Sequence, residues 1–227
     1  MNFTDRSYGG KLFCPTPLVH YEEDLSFFSI TTSWSEKKLA KTLSEQSKQY
    51  FFSLYNDRDS TFPFSHLTCL SSTANILRAT LFMINDSLYN DHNKSEYNAA
   101  AEMLILSRDQ KEINWAFAGS YHVFLSRPQE PLRILSASMD LAAELSSPQS
   151  PFPPLPGQLL GVFSSSNPSI RSYHYKPQDK LLFIYRSFLE PQFFQVTYDQ
   201  VQVSFLTQLL SKNHPDLPFW LGILELS

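Results

Sequence analysis

What most restricts the fold of this chain is a change of hydrophobic period near Tyr97. Before it, Leu70, Ala74, Leu77, Leu81, Ile84 and Leu88 recur at alternating steps of four and three, which lines one face of an α-helix. After it the period is two, in segments 103–107, 112–118, 122–126 and 132–135 separated by polar turns at 108–111 and 127–130. That alternation spells an antiparallel meander. A helical block joined to a run of short strands within 227 residues is an α+β layered pattern, and the length suits one domain spanning 1–227.

The flanks extend the pattern. Residues 25–31 are apolar and β-branched enough for a strand, after which Thr32 and Ser33 turn the chain polar. Ser33 with Glu36 three residues on makes a capping-box pattern, and Leu39, Leu43, Tyr50, Phe51 and Leu54 carry a helix through Tyr55. Further strands are expected at 158–163, 170–175, 180–185 and 219–226, with a helix at 198–210. Between them Pro148, Pro151, Pro153, Pro154 and Pro156 cannot donate to a ladder, so 146–157 is expected to be a surface loop, either a plain connector or a polyproline ligand segment.

Composition removes several classes. Eighteen Lys and Arg against 22 acidic residues, with no basic block, leave no electrostatic footprint for nucleic acid. The longest apolar run, 181–185, falls far short of the roughly 20 residues a membrane helix needs, and no signal-peptide core follows Asp5 and Arg6. The expectation is an unexported, cytoplasmic protein. Cys14 and Cys69 form no C-x-x-C and are expected to be two buried free thiols; the positions six residues after them are His20 and Asn75, not the Arg a cysteine phosphatase needs. Six glycines, where average usage gives roughly sixteen, leave no P-loop and no dinucleotide-binding loop. The six histidines offer no i,i+4 metal pair. Ser120 and His122 are expected on one side of a strand without a third orienting residue, and the run Glu22, Glu23, Asp24 is expected to be a solvated edge.

Three phrases in order carry a resemblance. Ile113 through Arg127, with Gly119 inside, looks like the hairpin that contains Gly-Asp-Ser-Arg in the metal-dependent protein serine/threonine phosphatases, the type 2C or PPM family. Gly161 followed by Lys176 to Phe188 is similar to that family's later Gly and Ser-Asp-Gly segment, and Phe27 to Trp34 sits where it has a strand ending in Asp-Gly. The resemblance implies two antiparallel sheets packed face to face with helices outside. It also implies two divalent cations held by aspartates around a nucleophilic water.

At those ligand positions this chain differs. Thr32 and Ser33 stand in place of Asp-Gly, Ser120 in place of the second aspartate, Arg186 in place of the third, and nothing in 11–21 matches the N-terminal carboxylates. Asp216 alone matches a ligand, and is equally a turn residue before Pro218; Arg186 is either an ion-replacing cation or an exposed strand-end charge. The resulting expectation is a pseudophosphatase that binds no cofactor and acts on a protein partner in signalling, with Pro151, Phe152, Pro153, Pro154, Leu155 and Pro156 as a candidate interaction segment. The alternative is a weakly active phosphatase gathering Asp216, Asp179 and the 22–24 run around one magnesium or manganese ion.

Overall fold

The computed structural model describes residues 2–24, 26–56, 63–109, 112–137, 158–185, 189–212 and 214–226. The candidate segment Pro151–Pro156 and Arg186 lie outside them. In chain order the elements are β1 (Asn2–Tyr8), β2 (Leu18–Tyr21), β3 (Phe28–Ser33), α1 (Lys37–Asn56), α2 (Ser72–Leu88) continued by a π-helical turn (Tyr89–Asn93), β4 (Ala101–Asp109), β5 (Glu112–Ala118), β6 (Tyr121–Ser126) and β7 (Arg133–Ser136). They continue with β8 (Ser169–His174), β9 (Lys180–Tyr185), 3-10 turns at Pro191–Gln195 and Tyr198–Gln200, α3 (Val203–Lys212) and β10 (Phe219–Glu225). The class is α+β: two five-stranded antiparallel sheets with helices.

The described chain divides into two compact units. The first, residues 17–119 and 158–174, holds the sheet β2-β3-β4-β5-β8 and the helices α1 and α2. The stripe read from the sequence does what its spacing demands: Leu77, Leu81, Ile84 and Leu88 meet Ala101, Met103 and Ile105 of β4 and Ala116 and Ala118 of β5 in one buried cluster. Each such aliphatic side chain contributes about 1.5–3 kcal/mol by leaving water. Alternate positions Phe28, Ile30, Leu104, Leu106 and Trp115 are buried as well, so these strands read as continuous apolar runs rather than strict alternation.

The second unit, residues 1–16, 120–157 and 175–227, holds the sheet β1-β10-β9-β6-β7. Its core joins Phe124, Leu182, Ile184, Leu221 and Ile223 to Leu206 and Leu210 of α3 and to Phe193 and Val201 from the 3-10 segment. A buried bidentate ion pair supports it: Arg127 donates Nε and Nη2 to the two carboxylate oxygens of Asp179, both at 2.7 Å, and Asp179 also accepts the Lys176 N–H at 2.8 Å.

Four expectations need correction. The period-two segments are not one meander: β4 and β5 pair in one sheet and β6 and β7 in the other. Gly119, with φ +120°, marks the departure from the first sheet, a backbone conformation that a side chain disfavours. Residues 158–163 make no strand but a lone bridge between Leu160 and Ala101; Gly161 has φ +85°, and the Asn85 and Asn93 side chains take the backbone polar groups of Gly161 and Phe163 instead of a ladder. The 198–210 helix is split, because Thr197 and Gln200 close a capping box around a single 3-10 turn before α3 begins. Finally, the Ser33 hydroxyl accepts the Ser35 N–H at 3.1 Å rather than a helical one, and α1 starts at Lys37.

Candidate functional site

In the first unit β3 delivers Thr32, fully buried, and Ser33, nearly so. Their antiparallel partners on β4 are Glu102 and Ala101. Glu102 is the residue the motif comparison passes over: a carboxylate with no solvent exposure in the apolar run Ala99 to Leu106. Its isolation in that run was the available signal, since a charge is buried only with partners. Trp34, the next residue after β3, donates its indole Nε1–H to Glu102 Oε1 at 2.7 Å. Gly119 lies against the same carboxyl: a Cβ there would stand 2.5 Å from Glu102 Cβ, so close approach and positive φ both require glycine. Thr32, Trp34, Glu102 and Gly119 thus converge at one end of this sheet.

Ser120, half-buried, begins the second unit, in the bend before β6 rather than on a strand. It does not share a strand face with His122, which lies inside β6 and is fully buried. Asp216 sits in an exposed turn. Its carbonyl accepts the Lys11 and Leu12 N–H groups at 2.8 and 3.4 Å, and its carboxylate faces the Lys11 ammonium at 3.0 Å, with side-chain exposures of 56% and 80%. The cation that faces Asp216 among the described residues is thus the Lys11 ammonium.

Three further carboxylates of the one-metal alternative, Asp179, Glu22 and Asp24, are also engaged. Asp179 is enclosed and held by Arg127. Glu22 pairs with Lys48 and lies 3.5 Å from His20; the Lys48 hydrogen bond, with the charges of Lys48 and His20, holds its carboxyl below the usual carboxylate range. Asp24 is likewise lowered, by the Ser26 N–H it accepts at 2.9 Å. Among the described residues no group of three or more His, Cys, Asp or Glu is placed to hold a metal ion. A hard dication takes several anionic oxygens; around Thr32 the donors are hydroxyls and one carboxylate already bonded to Trp34, and at Asp216 the facing group is an ammonium. The donor set does not fit a pair of such ions. Nor are the cysteines buried thiols: Cys69 is exposed and Cys14 partly so.

Among solved structures, the PPM serine/threonine phosphatase MsPP from Mycobacterium smegmatis superposes with a TM-score of 0.68 at 11% identity, over 100% of this chain and 99% of that one. A bacterial serine phosphatase gives 0.69 at 12% identity, covering 100% and 98%. The fold is that of the PPM phosphatases. The Mycobacterium tuberculosis serine/threonine phosphatase PstP gives 0.64 at 11%, again over 100% of this chain and 98% of that one. No protein-family model matches the sequence, and no curated protein matches it. At this identity the likeness carries the PPM fold and leaves the chemistry to the residues themselves. In this chain two of the phrases fall on β3 and on the β5–β6 segment, and residues 180–185 of the third form β9.

Proposed function

We propose that this chain is a pseudophosphatase, a PPM-fold protein whose role is to bind a protein partner in a regulatory pathway of the cytoplasm. The observation that carries the reading is the state of the ligand positions. Thr32 and Ser120 offer hydroxyls, and Asp216 is paired with Lys11. A two-metal mechanism draws its nucleophile and its charge stabilisation from ions that need several carboxylates. Without them the fold keeps a surface and loses the reaction. A chain with 18 basic and 22 acidic residues favours protein over nucleic acid as that partner, and Pro151–Pro156 stays the candidate contact segment. No described helix is long and apolar enough to cross a membrane.

The weakly active alternative is less well supported, because its carboxylates Asp179 and Glu22 are already paired, with Arg127 and Lys48. The two readings separate in one assay: hydrolysis of a phosphoserine peptide with millimolar manganese, by the wild type and by Asp216→Ala. Turnover at the no-enzyme background in both supports the pseudophosphatase. Manganese-dependent turnover lost in Asp216→Ala overturns it.

A further inference from the structure

We infer that the N-terminal half of α1, residues 37–48, is a detachable element, poised to lift from β3 while the rest of its unit stays folded. This stands apart from the pseudophosphatase reading and rests on how that half-helix is held. Its first turn contains no acidic residue, while Lys37 and Lys38 are exposed there, at the end of the helix whose dipole repels cations. Neither nearby hydroxyl caps the helix: Ser33 Oγ accepts the Ser35 N–H, and Ser35 Oγ donates to the Asn98 carbonyl and accepts the Ala100 N–H.

The interface is as weakly built as the cap. Beneath this half of α1 lie Ala40, Ser44 and Ser47, opposite the β3 hydroxyls. Ser29 Oγ and Ser44 Oγ are 3.0 Å apart, and Ser47 Oγ bonds only to the Ser44 carbonyl of its own helix, at 2.8 Å. Thr31, two residues from Ser29 on the same strand face, is fully buried and its hydroxyl meets no partner among the described residues, which penalises the docked state. Leu43 is the one large apolar side chain that this half buries completely.

The second half is anchored differently. The Lys48–Glu22 ion pair ties the helix to the end of β2, and Phe51 is enclosed by Phe27, Phe52 and Tyr55 with ring centroids 5.3–5.7 Å away. Weak contacts up to residue 47, followed by the Lys48 ion pair and the Phe51 ring cluster, place the hinge at Lys48, the last residue of the segment. Lifting 37–48 uncovers the hydroxyls of Ser29 and Thr31 and one wall of a cleft of about 360 Å³ lined by Ser35, Lys38, Leu39, Thr42 and Asn98.

Hydrogen exchange on the full chain tests this. Amides of 40–48 are expected to exchange roughly a hundredfold faster than those of 76–88 in α2, whose buried stripe makes it the reference. Thr31→Val, which removes the lone hydroxyl at equal volume, is expected to slow exchange in 40–48 by about fivefold or more and leave 76–88 unchanged. The surface double variant Lys37→Glu, Lys38→Glu is expected to shift it the same way by reversing the charge at the helix terminus; it gives the reading even if the core variant does not fold. Protection of 40–48 equal to that of α2, or no slowing in the double variant, overturns the inference.

Discussion

Arg127→Ala probes the most enclosed charge pair of the second unit. Asp179 has no solvent exposure, and the Arg127 side chain is 12% exposed. Two of the three hydrogen bonds its carboxylate accepts come from this guanidinium at 2.7 Å, the third from the Lys176 N–H. Truncation leaves a buried carboxylate with one neutral donor, and removing one member of a buried pair costs about 3–5 kcal/mol. The retained Lys176 bond and the partial exposure of Arg127 place the expected loss near the lower bound, about 3 kcal/mol. For a chain of this size that lowers Tm by roughly 6–12 °C. Urea denaturation followed by tryptophan fluorescence reads the same loss as a lower midpoint at unchanged slope. Arg127→Lys, which keeps charge but not the planar fork, should fall between. Replacing both partners, Arg127→Met with Asp179→Leu, should cost less than the sum of the single changes by at least about 1.5 kcal/mol, because neither charge is then stranded. A loss below about 1 kcal/mol for Arg127→Ala, or additivity of the pair, would refute the reasoning.

Gly119→Ala combines a positive φ with a methyl group driven into Glu102, and should destabilise by roughly 2–5 kcal/mol, part of it restored in Gly119→Ala with Glu102→Ala; thermal denaturation reads both. The lowered carboxyl of Glu22 contributes stability that is present above its unfolded value of about 4.5 and lost as pH falls through its lower folded value. Since that side chain is 35% exposed, Glu22→Gln should cost no more than about 1 kcal/mol near neutrality and should flatten the fall of Tm below pH 4.5; an unchanged acid limb would remove the Lys48 link. Millimolar manganese or magnesium should move Tm by less than about 1 °C, and a clear rise in differential scanning fluorimetry would contradict the donor-set argument.

The elements visible in advance were those whose own residues supply their packing energy. The stripe from Leu77 to Leu88 and the apolar runs of β4, β5, β6 and β9 bury themselves by composition, so period alone located them. By contrast β1 and β2 are edge strands of exposed and half-exposed residues. Their pairing energy resides in β10 and β3, and no local pattern announces it. The split of the expected meander between two sheets was equally illegible, because period two reports alternation of faces but not which ladder a strand joins.

The site divides along the same line. Sequence alone determined that Thr32 and Ser120 carry neutral hydroxyls, because that chemistry holds whatever the fold does. That Lys11 faces Asp216, that Arg127 claims Asp179, and that Glu102 is enclosed beneath Trp34 and against Gly119 were decided only by tertiary structure. These contacts join residues 17 to 205 positions apart in the chain; at such separations a charge's partner is set by sheet register and loop closure, which no local run of residues encodes.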